Sequence, residues 1–160
     1  MYHKPKEPIK RTAIKKTARD INVPSKKKPT KKKAPTRPQL VKKLDKVFSI
    51  YIRLRTADEF GMVTCVTSGL RGHWKTMQAG HFYTRGRYPT RWDETNVHVQ
   101  SVQSNIFLKG DYINYTRFMI DKYGREYVDE LEIKSKSTEK ITTVKLKEMI
   151  EYYENVVKNY

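Results

Sequence analysis

The stretch MQAGHFYTRGRYPTRWDETNVHVQSVQSN, residues 77–105, decides how this chain is read. Met77 to Phe82 reads as a short strand, Gly86 and Pro89 with several arginines mark an irregular connection to about Asn96, and helical patterning follows. The polar residues that fit no solvated face are concentrated here: Gly80-His81, then Asn96-Val97-His98, then Asn105 and Lys109. A histidine at a strand end, an asparagine in the connection and an amide at the start of the next helix meet at one point if the hairpin folds back on that helix. Such a set suits metal-assisted phosphodiester cleavage. One imidazole takes the proton from water, a carbonyl-bearing side chain fixes its tautomer, and a divalent ion stabilises charge on the phosphate and the leaving oxygen.

Working outward, Val41, Leu44, Val47, Phe48, Tyr51 and Leu54 recur at spacings of three and four, the stripe of an amphipathic helix that Gly61 would end. Residues 62–67 are rich in β-branched types and run into Ser68-Gly69, a strand and turn whose simplest form is a hairpin. Beyond the deciding stretch, Tyr112, Tyr115, Phe118 and Met119 stripe a helix ending at Gly124. Arg125 to Ile133 forms a short one, and Ile141, Val144, Met149, Tyr153 and Val156 stripe a C-terminal one. There is no internal repeat. The expected fold class is α+β with little sheet.

Charge divides the chain differently. It carries 34 Lys and Arg against 17 Asp and Glu, a net charge of +17, and residues 1–38 hold 14 of the bases with only two acids. Six of the seven prolines and the runs Lys26-Lys27-Lys28 and Lys31-Lys32-Lys33 lie there too, with no Phe, Trp or Leu. We read 1–38 as a disordered basic tail and 39–160 as the folded domain, because such a composition buries too little apolar surface to offset its ordering entropy. A basic arm beside a basic domain suits phosphate backbones, where counterion release gives salt-sensitive, sequence-independent affinity. No apolar run approaches the roughly 18 residues of a membrane span and no secretory h-region follows the N-terminus, so a cytoplasmic location and no membrane partner are expected. The single cysteine, Cys65, excludes an intramolecular disulfide framework.

Ala79-Gly80-His81-Phe82, Thr90-Arg91-Trp92-Asp93-Glu94, Asn96-Val97-His98-Val99-Gln100 and Ser104-Asn105 resemble the NinG (Rap) recombination proteins of lambda-like phages, within the HNH, ββα-metal group of nucleases. Tyr51 to Arg55 and Cys65 to Gly69 fit the same family's upstream segment. The resemblance spans roughly residues 45–131. It implies a small ββα-metal core flanked by helices, with His81 as general base, Asn96 as the residue that orients it, and Asn105 as a metal ligand in place of the last histidine. The acid that often precedes the base is here Gly80, so His98, Asp93 or Glu94 is left to supply the second ligand, His98 being favoured. The family's Cys-x-x-Cys pairs read Cys65-x-x-Ser68 and Ser101-x-x-Ser104, and serine hydroxyls are poor zinc ligands. Structural zinc is therefore not expected, and the catalytic ion would be Mg²⁺ or Mn²⁺.

Each of these residues also has a plainer role. His81 is ordinarily a structural histidine, Asn96 a turn cap and Asn105 a helix-start residue. Arg85, Arg87 and Arg91 with Lys109 either solvate a loop or clamp flanking phosphates. Trp74, Trp92 and Cys65 read as packing residues. The function expected is a metal-dependent DNA endonuclease of phage recombination acting on branched DNA, with a homodimer left open. The alternative is a non-catalytic DNA-binding accessory protein on a degenerate scaffold.

Overall fold

The computed structural model describes residues 34–160, and the expected basic tail lies, over residues 1–33, outside the described residues. The first helix, α1 (Arg37–Leu54), starts inside the segment assigned to the tail. Thr36 and Gln39 form a capping box, the Gln39 Oε1 accepting from the Thr36 N–H at 2.8 Å, and Pro38 falls in the first turn where no N–H is needed. The apolar stripe buries Leu40, Leu44, Val47, Phe48 and Ile52. α1 ends at Leu54 rather than at Gly61. The Asp58 carboxylate accepts from the Phe60 and Met62 N–H groups and closes a separate turn, within which Gly61 takes a left-handed φ of 70°.

Two small antiparallel sheets follow. β1 (Met62–Thr64) pairs with β2 (Arg71–His73) across the Ser68-Gly69 turn, the hairpin expected there, although Arg-Gly-His itself has no strand propensity. β3 (Gln78–His81) pairs with β4 (Val97–Gln100), so the expected strand at Met77 to Phe82 finds its partner across the irregular connection. The register sets Gln78 opposite Gln100, Ala79 opposite Val99, Gly80 opposite His98 and His81 opposite Val97. A single π-helical turn at Gln103–Phe107 then leads into α2 (Tyr112–Tyr123), and Gly124, at φ 86°, breaks the chain before α3 (Arg125–Lys136). The last helix, α4 (Thr143–Lys158), is capped by the Thr142 side chain accepting from the Lys145 N–H. The architecture is α+β, as expected.

Side chains alternate across a strand, so the β3–β4 pair has two faces. Ala79 and Val97 join Trp92 in a core built chiefly by α1 and α4, where Leu44, Ile52 and Leu146 are fully buried. Beyond the end of β3, Phe82 packs with Tyr115 and Met119 of α2 and with Val128 and Leu131 of α3. The stripe read on the C-terminal helix is rotated: Leu146, Ile150 and Tyr153 face α1, while Val144 points to solvent. No helix among the described residues is long and apolar enough to cross a membrane.

Because Leu44 is fully buried at the α1–α4 contact, Leu44→Ala should destabilise the domain by about 2–5 kcal/mol. Urea unfolding followed by circular dichroism checks this, and a loss well below that range would place α1 outside the cooperative core.

Candidate functional site

β3 pairs only with β4 among the described residues, and along its other edge runs a cleft of about 450 Å³ lined by Gln78, His81, Arg85, Asn105 and Lys109. Four of the residues singled out by sequence, His81, Arg85, Asn105 and Lys109, therefore open onto one space. His81 reaches it from the strand face shared with Ala79, and Asn105 reaches it from the π-helical turn through a hydrogen bond from its Nδ2 to the Gln78 side-chain oxygen.

The His81 ring is held by the backbone. Its Nε2 lies 3.0 Å from the carbonyl oxygen of Arg91; a carbonyl only accepts, so Nε2 carries the proton and Nδ1 the lone pair. Burial, reinforced by the positive charge of Arg85, lowers its pKa to about 4, and the imidazole is neutral at pH 7. The Arg91 carbonyl is itself pinned. The Arg91 guanidinium meets Asp45 of α1 through Nε–Oδ1 at 3.0 Å and Nη2–Oδ2 at 2.6 Å, and Trp92 Nε1 donates to the same carboxylate at 2.9 Å. Arg91 is thus committed to a half-buried ion pair, unlike Arg85, Arg87 and Lys109, which are exposed.

Asn96 is fully buried and does not touch the imidazole. Its Oδ1 accepts from the Tyr83 N–H at 2.8 Å, and its Nδ2 donates to the carbonyls of Tyr83 and Thr90, each at 2.9 Å. It ties the two ends of the irregular connection together and fixes the residue next to Arg91, so its influence on His81 passes through the loop backbone.

The structure does not bring His98 to His81. Opposite residues in an antiparallel pair share a face, so His98 lies with Gly80, on the reverse side of the sheet from His81 and Val97. Both His98 nitrogens are engaged. Tyr115 Oη donates to the Gly80 carbonyl at 2.9 Å, hence accepts from His98 Nδ1 at 3.1 Å; the remaining lone pair on Nε2 then accepts from Tyr123 Oη at 2.9 Å. The result is a directed relay, Tyr123 to His98 to Tyr115 to the peptide just before His81. Burial first, then Arg55 and Lys122, lowers the pKa of His98 to about 3. The other candidates for the second ligand are engaged as well. Asp93 pairs with Lys134 at 2.6 Å, and Glu94 accepts from Tyr51, Tyr153 and Arg55.

The four positions of the family's cysteine pairs do converge. Ser101 Oγ donates to Ser104 Oγ at 3.2 Å and accepts from the Ser104 N–H at 3.1 Å, and the Cys65 thiol lies 3.7 Å from Ser104 Oγ and 3.3 Å from Thr67 Oγ1. Ser68 lies near enough to favour the thiolate form of the sulfur. One thiol and three hydroxyls do not match the thiolate and imidazole sets that hold zinc.

Around the cleft the side-chain oxygens include the amides of Asn105 and Gln78, whereas Gln100 lies behind Gly80 on the face away from His81. Gln100 is fully buried, its Nε2 donating to the Gly110 carbonyl at 2.8 Å while its Oε1 has no hydrogen-bond partner among the described residues. Amide oxygens are hard, neutral donors, the type that shares a Mg²⁺ or Mn²⁺ shell with water and phosphate. Among the described residues no three His, Cys, Asp or Glu cluster closely enough to hold a metal by themselves. Sequence reading missed Asp45, Tyr115, Tyr123 and Gln100. Asp45 alone carried a signal, a lone acid in a lysine-rich turn of α1.

A small basic α+β domain with a shielded histidine over an amide-lined cleft is the class these features define. The family model described as Bacteriophage Lambda NinG protein matches residues 2–160, and the chain belongs to this family. It is 33% identical over 95 residues to protein ninG of Enterobacteria phage H19B, a match covering 58% of this chain and 44% of that protein. To protein ninG of Escherichia phage lambda it is 30% identical over 95 residues, covering 58% and 43%. The matched segment thus spans less than half the length of these relatives. No solved structure matches the chain.

Folded His81 and His98 hold their protons with pKa values lowered to about 4 and about 3, whereas an unfolded histidine does so near about 6.5. The unfolded chain therefore binds more protons below that value, so this contribution is full above about pH 6.5 and shrinks as pH falls toward about 4. Urea midpoints should fall between pH 7 and pH 5. An unchanged midpoint would overturn the neutral-imidazole assignment.

Proposed function

We propose that this protein is a metal-dependent DNA endonuclease of phage recombination. The observation that carries the reading is the His81 imidazole, kept neutral by burial, with Nε2 tied to the Arg91 carbonyl and Nδ1 left as the lone-pair nitrogen beside a basic cleft. His81 Nδ1 takes the proton from the attacking water. Asp45 and Arg91 set the ring through the Arg91 carbonyl, and Asn96 does so through the loop. Asn105, with the neighbouring amide oxygens, would hold a Mg²⁺ or Mn²⁺, which when bound supplies charge stabilisation for the phosphorane and the departing oxygen. Arg85, Arg87 and Lys109, exposed beside the cleft, would bind flanking phosphates, and the lysine-rich residues 1–38 would add sequence-independent affinity.

Branched or otherwise non-duplex DNA as the substrate is supported by the turn that follows Asn105. Ile106, Phe107 and Leu108 stand there with exposures of 54, 70 and 52%, next to Lys109. DNA with unstacked bases offers apolar ring faces and an anionic backbone together, which suits an apolar turn beside a lysine.

In a cleavage assay on labelled four-way-junction, forked and linear duplex DNA, the wild type should cut with Mg²⁺ or Mn²⁺ and not with EDTA. His81→Ala should lose cleavage by about 100-fold or more while binding DNA normally. Binding without cutting by the wild type would favour the accessory-protein reading instead. Phe107→Ser should narrow the preference for junction over linear duplex; an unchanged ratio would remove the turn from substrate choice.

A further inference from the structure

A second cavity, of about 300 Å³, adjoins the cleft and shares His81 and Lys109 with it. Its character is different. Phe82, Tyr83 and Tyr112 bring aromatic rings to its lining, and Arg87 adds a further cation. The Phe82 and Tyr112 rings are stacked, with centroids 5.0 Å apart and planes within 6°, while Tyr83 meets Phe82 edge-on at 4.7 Å. Phe82 is packed into the core between α2 and α3, whereas Tyr112 is 56% exposed. A fixed ring thus carries an open one, and an open ring at the end of a stack favours a further flat, apolar ring upon it.

The backbone takes an uncommon path to build this wall. Lys109 and Asp111 hold left-handed φ values of 51° and 47° on either side of Gly110 at 92°, conformations that residues other than glycine adopt rarely and that concentrate at functional places. The turn so formed delivers the Lys109 ammonium and, at the start of α2, the Tyr112 ring to the same cavity. Neither cavity is lined by a carboxylate, so an anionic group attached to a bound ring meets Arg87 and Lys109 with no opposing acid in the lining. A flat ring joined to a phosphate is a nucleotide.

We propose that this cavity receives one unpaired nucleobase of a bound DNA strand, stacked on Tyr112, with the phosphate of that nucleotide lying at Lys109 in the neighbouring cleft. The inference deepens the nuclease reading, on which it rests for the fate of the phosphate but not for the binding of the base. A base inside an intact duplex is paired along its edge and stacked on both faces, so it enters only after extrusion; a base already free at a branch, gap or bulge enters at little cost. Preference for non-duplex DNA then arises beside the His81 imidazole itself, separately from the apolar turn at Ile106 to Leu108.

The test is binding of the full chain, by fluorescence anisotropy in EDTA, to a labelled duplex with one extruded nucleotide and to the same duplex with that nucleotide made abasic. Wild type should bind the base-bearing form about tenfold more tightly, the size of one base–aromatic stack. Tyr112→Ala and Tyr112→Leu should bring the ratio close to one, and Tyr112→Phe should keep it. Circular dichroism checks each fold, and Tyr112→Leu, which still covers Phe82, decides the matter if Tyr112→Ala fails to fold. A wild type that does not distinguish the two duplexes, or a folded Tyr112→Leu with an undiminished ratio, overturns the proposal. Metal-dependent cleavage alongside either result would leave the nuclease standing and remove only the base pocket. The expected ratios from a protein that cuts no DNA with Mg²⁺ or Mn²⁺ would retain the pocket and remove the nuclease.

Discussion

Gly80 sits across from His98 in the β3–β4 pair, and with a side-chain period of two that register divides everything around it. On one face Ala79, His81 and Val97 turn toward α1, so the imidazole falls within reach of the loop that α1 anchors. On the other, His98, Gln78 and Gln100 turn toward α2 and the π-helical turn. A slip of one residue would exchange the faces, sending His98 into the α1 core and His81 among the tyrosines. The relay from Tyr123 through His98 and Tyr115 to the Gly80 carbonyl is compatible with one register only, and it is sealed in a core where an unmet hydroxyl or imidazole nitrogen costs about 1–3 kcal/mol.

The irregular connection between the strands is held by side chains rather than by a ladder. Asn96 satisfies Tyr83 and Thr90, and Asp45 gathers Arg91 and Trp92. Two polar side chains thereby replace the hydrogen bonds that a ladder would supply. Because the Asp45–Arg91 pair is bidentate and half-buried, it has the geometry in which an ion pair contributes to position as well as to energy. The backbone carbonyl that holds His81 is fixed at its own side chain and at its neighbour, so the hydrogen-bond partner of the ring is itself located.

The helices and the strand at Met77 to Phe82 were legible because apolar periodicity is local. β2 was legible only through the turn that returns it to β1, since Arg71-Gly72-His73 carries no strand preference. Gly61 misled on the end of α1 because the competing signal, Asp58 accepting from two nearby N–H groups, looks like any exposed acid. At the candidate site, His81 and Asn105 of the expected set line one cleft, whereas Asn96 is tied into the loop. Alternation says nothing about which face a partner strand shares, and that is how His98 came to be expected beside His81. Arg91 was grouped with Arg85 and Arg87 because sequence shows charge but not the Asp45 that engages it from a segment 46 residues away.

The Cys65, Ser68, Ser101 and Ser104 cluster brings one more property. Where thiolates grip zinc, a fold inherits the metal's supply and its vulnerability to oxidants, since the chain is complete only once loaded. Hydroxyls that bond to each other and to a backbone N–H are finished as soon as the chain is made. The corner joining the first hairpin to the π-helical turn is therefore closed by hydrogen bonds that the chain itself supplies.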